Sequence, residues 1–169
     1  MNIDIQVGDV LLYPADLLIA TANPWLNLSG GVNGAILAAC GEVIQRDLHD
    51  QLSELKVAAV PPGSILHTGA YGLPFRHILH AVAIDPFYDS SIELVRQTFT
   101  SALKAAVELG AKTVTSPTLA TGYGPLSIQD FGHAVAGIAD ERFSSLSVTI
   151  VVRSDEVVEQ LRQGIDGDR

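Results

Sequence analysis

The sequence is poor in several residue types, and each shortage excludes a class of structure or partner. Cys40 is the only cysteine among 169 residues, which excludes an internal disulfide and any zinc site built from several cysteines. Lysine and arginine together number 10 against 19 aspartates and glutamates, so the net charge is −9. An acidic chain repels polyanions, and general binding to nucleic-acid backbones is not expected. A phosphate bound here would have to be held by backbone N–H groups.

Long apolar runs are also missing, and none approaches the roughly 20 residues that a membrane-spanning helix needs. The first ten residues, MNIDIQVGDV, lack the basic start and apolar centre of a signal peptide. The hydrophobic content of 47% nevertheless excludes a disordered chain. We expect a soluble cytoplasmic protein that does not bind membranes, with a single domain over residues 1–166 and a loose tail at 167–169.

Six apolar runs rich in β-branched residues are typical of strands. They are Ile3 to Val7, Leu17 to Thr21, Ser64 to Thr68, His77 to Ile84, Thr113 to Thr115 and Val148 to Val152.

Four stretches have the three- and four-residue spacing of a helix that buries one stripe. The stripes are Val32, Ala35, Ile36, Ala39 and Val43; Ile92, Val95, Phe99, Leu103 and Ala106; Phe131, Val135 and Ile138; and Val157 with Leu161. Predicted starts and stops accompany them. Ser90 and Glu93 form a capping box and Gly110 ends the second helix, while Ser127 and Ser154 precede the third and fourth.

Strands that alternate with helices indicate an α/β fold with a largely parallel sheet covered on both faces. Such sheets bind ligands at the carboxyl ends of their strands. The loops that follow the strands are therefore the places to look for a site.

Two of these loops carry glycines and lead from a strand into a helix. After the second strand come Ala22-Asn23-Pro24 and then Ser29-Gly30-Gly31, and after the fifth comes the segment 116–125, SPTLATGYGP. Such turns let backbone N–H groups converge on one spot at the positive end of a helix dipole, which suits a phosphate. Glycines can also serve only to turn the chain, but two such loops could grip a diphosphate from opposite sides. Neither loop has the P-loop lysine or the G-x-G-x-x-G spacing of a dinucleotide fold.

Several segments in order resemble the macrodomain family. Gly8-Asp9-Val10 is similar to the family's opening Gly-Asp-Ile, and Ala20-Thr21-Ala22-Asn23 to its Asn-Ala-Ala-Asn. The segment 29–36, SGGVNGAI, resembles the family's glycine loop, Leu73-Pro74 and His77 to Val82 its central strand, and Ala120 to Gly124 its second phosphate loop. The resemblance runs from Ile3 to about Val152. It implies a three-layer α-β-α macrodomain with a mixed, mostly parallel central sheet of about six strands.

The resemblance also implies a ligand, ADP-ribose or a derivative, either free or attached to a protein. It assigns Asp9 to the adenine amino group and places Val10 beside the ring, because a carboxylate only accepts hydrogen bonds and the amino group donates them. Asn23 would bind the distal ribose, although it also suits the turn before Pro24. The residues implied to bind the ligand are Asp9, Val10, Asn23, Ser29, Gly30, Gly31, Val32, Asn33, Ala120, Thr121, Gly122, Tyr123 and Gly124.

Catalysis is a separate question, for which Asn23 and Asn33 are the candidate residues. Hydrolytic relatives usually carry Asp where this chain has Asn33, and often His where it has Leu37. A neutral amide is a poor base, which favours a module that only reads ADP-ribose. A small stand-alone protein favours a hydrolase of O-acetyl-ADP-ribose or of mono-ADP-ribosylated carboxylates. Binding to the ADP-ribose end of a nucleic acid or polymer, and a domain that has lost its ligand, are further alternatives.

No cofactor and no metal site are expected. His80 lies in an apolar strand, where we expect a hydrogen-bonded core histidine rather than a general base. Tyr123 is predicted either to pack on the distal ribose or to cap the core.

Overall fold

A six-stranded sheet organises the chain in the computed structural model, which describes residues 1–167. The strands are Asn2–Val7 (β1), Leu17–Thr21 (β2), Ile65–Gly69 (β3), His77–Ala81 (β4), Thr113–Ser116 (β5) and Ser147–Val152 (β6). Their order across the sheet is β1-β6-β5-β2-β4-β3. All neighbouring pairs are parallel except β3 with β4, which is antiparallel. The predicted mixed, mostly parallel sheet is therefore confirmed.

Five α-helices cover the two faces of this sheet. They are Gly31–Cys40 (α1), Glu42–Leu55 (α2), Ile92–Glu108 (α3), Ile128–Ala136 (α4) and Asp155–Asp166 (α5). Short 3₁₀ helices at Val10–Leu12 and Glu141–Phe143 complete the described part of the chain. Within residues 1–167 no helix is long and apolar enough to cross a membrane.

The alternation of side chains along β2 shows how the core divides into two layers. Leu17 and Ile19 are buried with α3, α4 and α5, whereas Leu18 and Ala20 are buried with α1 and α2. Successive strand residues point to opposite faces of a sheet, so a strand covered on both sides is apolar throughout. The three-layer α-β-α arrangement predicted from the sequence is confirmed.

The stripe predicted for α3 is confirmed, and so is its stop. Val95, Phe99, Leu103 and Ala106 are fully buried. Gly110 has a φ of +77°, and the N–H of Ala111 donates to the carbonyl of Ala106, as in a Schellman helix end.

The cap predicted for the start of α3 is wrong by one residue. Ser91, not Ser90, accepts the bond from the N–H of Leu94, while the hydroxyl of Ser90 donates to the carbonyl of Ala83. The predicted caps Ser127 and Ser154 are confirmed as the N-caps of α4 and α5.

The region after the first glycine loop differs most from the prediction. The single stripe through Val32 and Val43 is wrong, because Ala35, Ala39 and Val43 are exposed and only Asn33 and Ile36 are buried in α1. Gly41, at a φ of +77°, ends α1, and a fifth helix, α2, begins at once. The α2 stripe consists of Ile44, Leu48 and Leu52, a spacing of four that the sequence analysis missed.

Two predicted boundaries, the end of the fourth strand and the start of the tail, can also be compared with the structure. The fourth strand ends at Ala81 rather than at Ile84, although residues 82–84 are buried; burial alone explains their apolar character. In the predicted tail, Gly167 donates to the carbonyl of Gln163 at the end of α5, and Asp168 and Arg169 lie outside the described residues. The division of the chain at residue 166 stays a prediction.

Candidate functional site

A cavity of about 630 Å³ opens along the carboxyl ends of the parallel strands. Gly8 and Val10 line it after β1, Arg153 after β6, Pro117 after β5 and Asn23 after β2. This is the edge at which parallel α/β sheets bind ligands. The position predicted from the strand–loop pattern is therefore the position of the cavity.

The length of the cavity follows from the strand order. Lining residues follow β1 at one end and β4 at the other, and these strands are four sheet positions apart. At a strand spacing of about 4.8 Å, the cavity reaches over about 19 Å. It is long enough for an extended ligand with two terminal groups.

The first glycine loop is shaped by the side chain of Asn23. Its Oδ1 accepts from the N–H of Trp25 at 3.1 Å and from that of Asn27 at 3.2 Å. Its Nδ2 donates to the carbonyl of Asn27 at 2.9 Å. Asn23 lines the cavity, and its side chain also stabilises the turn at Pro24, which was the alternative role predicted for it.

A residue of α2 holds the same loop from behind. The Oε1 of Gln45 accepts from the N–H of Leu28 at 2.7 Å, and its Nε2 donates to the carbonyl of Leu26 at 2.8 Å. His49 extends this contact to Asn27 Oδ1 at 3.0 Å. Gln45 was not predicted because α2 was not predicted; the four-residue spacing of the apolar residues in α2 is the signal for both.

The loop ends in the backbone conformation that glycine favours. Gly30 and Gly31 have φ values of +64° and +51°, which residues with a Cβ rarely adopt. Gly30 is the N-cap of α1 and supplies no side-chain cap, while Gly31, Val32 and Asn33 line the cavity. An uncapped helix N-terminus at a cavity favours an anion through its N–H groups and its dipole.

The second glycine loop is a tight bend between β5 and α4. Ala120 has a φ of +60°, its carbonyl accepts from the N–H of Leu126, and a side chain at Gly124 would collide with that carbonyl. The hydroxyls of Thr118 and Thr121 are 2.6 Å apart and hydrogen-bonded. The bend brings Ala120 to Gly124 to the cavity.

The two glycine loops meet across the cavity at Tyr123. A Cβ placed on Gly30 would collide with the hydroxyl of Tyr123, although the two residues are far apart in the chain. Tyr123 is 72% exposed, which excludes the alternative that it caps the core. The small residue at position 30 and the tyrosine at 123 are thus spatial partners.

Asn33 combines burial with an unsatisfied acceptor. It lines the cavity and is 8% exposed, and its Oδ1 has no hydrogen-bond partner among the described residues. A buried acceptor without a partner in the protein favours a ligand hydroxyl that can donate to it. Leu37, one turn later, packs instead against the core between α1, α2 and the sheet.

Asp9 lies beside the opposite end of the cavity. It is exposed, and its Oδ1 accepts from the N–H of Leu11 at 3.0 Å, which leaves Oδ2 for another donor. Its neighbours Gly8 and Val10 line the cavity, but Asp9 itself does not. The other predicted site residues all line it: Val10, Asn23, Ser29, Gly30, Gly31, Val32, Asn33, Ala120, Thr121, Gly122, Tyr123 and Gly124.

Arg153 and Tyr88 are among the lining residues that were not predicted from the sequence. Arg153 is the single charged side chain among the lining residues of 1–167, and the carboxylate and histidine side chains of the described residues do not line the cavity. Its place between a predicted strand end and the predicted cap Ser154 was the available signal. Tyr88 stands in the loop after β4, where the strand was predicted to continue to residue 84.

His80 lies outside this cavity, in agreement with its predicted place in the core. It is fully buried, and its Nε2 is 2.9 Å from the hydroxyl of Thr68. Burial lowers the pKa of His80 to about 4. The side chain is therefore neutral near pH 7 and does not line the cavity.

Comparisons with known proteins agree with this architecture. The family model for the Macro domain matches residues 19–135. An O-acetyl-ADP-ribose deacetylase of Enterobacter cloacae subsp. cloacae is 31% identical over 131 residues, which span 73% of this chain and 69% of that protein.

Two solved macrodomains have the same fold. The Oceanobacillus iheyensis macrodomain with ADP superposes with a TM-score of 0.85 at 23% identity, over 96% of this chain and 89% of that one. The Trypanosoma brucei macrodomain in complex with ADP-ribose gives 0.79 at 20% identity, over 96% and 68% of the two chains. With a family model that covers more than half of its length, this chain belongs to the macrodomain family.

Proposed function

We propose that the cavity binds ADP-ribose, with adenine at the β1 end, the diphosphate between the two glycine loops and the distal ribose at the end of β2 and β4. The observation that carries the proposal is the meeting of these two loops across one cavity that runs along the strand ends from β1 to β4. The solved macrodomains that hold ADP and ADP-ribose support it.

The adenine end offers an acceptor and an apolar floor. Asp9 Oδ2 is available to accept from the exocyclic amino group, since Oδ1 already accepts from Leu11. Val10, Val152 and Val157 line this end of the cavity. Apolar side chains with one acceptor at their edge suit a purine that carries an amino group.

The diphosphate would be held mainly by main-chain donors. Among residues 1–167 no lysine lines the cavity, and the net charge of −9 opposes anions at long range. The uncapped start of α1 at Gly31 faces the bend at Thr121 to Gly124 across the cavity. Backbone N–H groups from both sides would donate to the phosphate oxygens, and Arg153 would add the one positive charge among the described lining residues.

The distal ribose would satisfy Asn33. A ribose hydroxyl that donates to Asn33 Oδ1 removes the unsatisfied acceptor. Asn23 contributes mainly through the loop that it organises, because its Oδ1 already accepts two backbone bonds.

The binding proposal is tested by calorimetric titration of ADP-ribose into the wild type and Asp9→Asn. The substitution preserves the oxygen that caps Leu11 but turns an amide donor toward the adenine amino group. We expect weaker binding by about 1–3 kcal/mol, because the adenine amino group would then face a donor instead of a charged acceptor. Asp4→Asn is the matched control, since Asp4 is an exposed carboxylate on β1, the strand before Asp9, and does not line the cavity. Equal affinity for Asp9→Asn and wild type would refute the role given to Asp9.

Hydrolysis of an ester on the distal ribose is the second candidate function, and the likeness to an O-acetyl-ADP-ribose deacetylase favours it. In this reaction water adds to the acyl carbon, the bond to the ribose oxygen breaks, and a carboxylic acid and ADP-ribose are released. Asn33 can orient a water but is a poor base. The ligand's own phosphate would have to accept the proton.

Turnover distinguishes the two candidates. The protein is incubated with O-acetyl-ADP-ribose and with a mono-ADP-ribosylated acidic protein, and free ADP-ribose is followed by chromatography. Binding without product leaves a reader of ADP-ribose. Asn33→Asp supplies the carboxylate found in hydrolytic relatives, and we expect a modest gain in rate. No gain would show that another group limits the reaction.

A further inference from the structure

The loop after β4 carries two aromatic side chains outward beside the cavity. Phe87 is 90% exposed and Tyr88 is 44% exposed. Trp25, from the first glycine loop, is half-buried with its ring centroid 6.3 Å from that of Tyr88. We call these three residues the aromatic ledge.

The loop that carries Phe87 and Tyr88 is held by hydrogen bonds from its main-chain N–H groups to Asp85. Asp85 Oδ1 accepts from the N–H groups of Phe87 and Asp89 at 2.8 and 2.9 Å. The N–H of Tyr88 donates to the carbonyl of Asp85 at 3.0 Å. Tyr88 has a φ of +61°, a conformation that residues with a Cβ rarely adopt. The chain thus keeps Phe87 in water although this side chain does not contribute to the core.

The ledge lies at the end of the cavity opposite Asp9. Tyr88 lines the cavity and follows β4, while Asp9 follows β1, and these strands are four positions apart in the sheet. A ligand with its base near Asp9 therefore directs its distal ribose, and anything attached to that ribose, toward the ledge.

From this placement we propose that the aromatic ledge binds the polypeptide segment that carries the ADP-ribose. The inference rests on the proposed function, and it names a protein rather than a nucleic acid as the occupant. Asp85 and Asp89 flank Phe87 in a chain of net charge −9, which repels a phosphate backbone. Aromatic faces beside carboxylates suit a segment with apolar and basic side chains.

The test compares three probes by calorimetry on the full chain. They are free ADP-ribose, a peptide with ADP-ribose on a glutamate flanked by lysine and leucine, and an oligonucleotide with terminal ADP-ribose. We expect the modified peptide to bind about three- to tenfold more tightly than ADP-ribose, the range that one or two aromatic contacts provide. Phe87→Ser should abolish this difference and leave the affinity for ADP-ribose unchanged.

Leu55→Ser is the matched control, because Leu55 is 56% exposed at the end of α2 and does not line the cavity. It should leave the affinities for all three probes unchanged, and thermal unfolding of both variants checks that they are folded. If the wild type binds ADP-ribose and the modified peptide equally, the ledge has no such role. If the oligonucleotide binds more tightly than ADP-ribose and Phe87→Ser abolishes that gain, the aromatic ledge binds a nucleic acid and the assignment of a polypeptide is wrong. A wild type that binds no ADP-ribose overturns the proposed function itself.

Discussion

At the scale of single residues, Asn33 connects binding with the question of catalysis. Its buried Oδ1 has no partner among the described residues, which is a reason to bind a hydroxyl. The amide does not ionise, which removes the simplest route to base catalysis. One side chain therefore favours ligand recognition and at the same time limits chemistry to what a water and the ligand's own phosphate can do.

Arg153 is the residue whose role the electrostatics make easiest to test. It is the single charge among the described lining residues of an acidic chain, so it should attract the diphosphate. We expect Arg153→Gln to weaken ADP-ribose binding by about 1 kcal/mol and to reduce its dependence on salt. Arg162→Gln, an exposed cation on α5 that does not line the cavity, is the control. If both variants respond to salt as the wild type does, Arg153 takes no part in binding the anion.

At the scale of elements, α4 and α5 pack closely where two glycines face each other. A Cβ on Gly132 would lie 2.8 Å from Gly164 Cα and 2.8 Å from the carbonyl oxygen of Leu161. Helix backbones that touch in this way have no room for a methyl group. The contact fixes the position of α4 relative to α5. The helix α4 follows the second glycine loop, and α5 begins beside Arg153.

We therefore expect Gly132→Ala to lower the free energy of unfolding by about 1–3 kcal/mol through overpacking. Gly34→Ala in α1 is the matched control, since its nearest neighbour beyond the helix would be 3.9 Å from the added Cβ. That control should be neutral or stabilising by up to about 1 kcal/mol, because alanine favours a helix over glycine. Urea unfolding measures both; equal stabilities would contradict the close crossing.

The antiparallel pair β3 and β4 contains a pH-sensitive contact. His80 is buried neutral with a pKa of about 4, and its pKa in the unfolded chain is about 6.5. Below pH 6.5 the unfolded chain binds a proton that the folded chain does not. The free energy of unfolding therefore decreases as the pH is lowered from 6.5, and the decrease is complete below about pH 4.

The loss attributable to His80 amounts to about 3 kcal/mol. We expect His80→Gln to show a shallower decline in unfolding free energy between pH 6.5 and pH 4 than the wild type. Burial also lowers the pKa of His67, so part of the slope should remain. Parallel curves for the two proteins would show that His80 is not the group that titrates.

At the scale of the whole molecule, the sheet determines how much ligand the cavity can bind. The cavity reaches from the end of β1 to that of β4, so a molecule that fills one end leaves the other unused. We expect ADP-ribose to bind more tightly than either AMP or ribose 5-phosphate. AMP should lose affinity in Asp9→Asn, whereas ribose 5-phosphate should not. Equal affinity for AMP and ADP-ribose, measured by titration, would mean that the distal end contributes nothing.

The sequence alone was sufficient for whatever depends on local pattern and residue chemistry. β2 is apolar from Leu17 to Ala20 because it is covered on both faces, Gly110 stops α3, and two glycine loops follow strands. The identities of Asp9 and Asn33 also set the available donors and acceptors regardless of the fold. The failures were local as well: Gly41 separates two helices that look like one stripe, and buried residues 82–84 look like more strand.

Only the tertiary structure decided which distant parts share the site. Tyr123 lies over Gly30 because β5 pairs with β2. Arg153 and Tyr88 lie toward opposite ends of the cavity because β6 is next to β5 and β4 is next to β2. Strand order is a property of the packed sheet, in which each neighbour is chosen by burial over the whole core. No local pattern of residues encodes it.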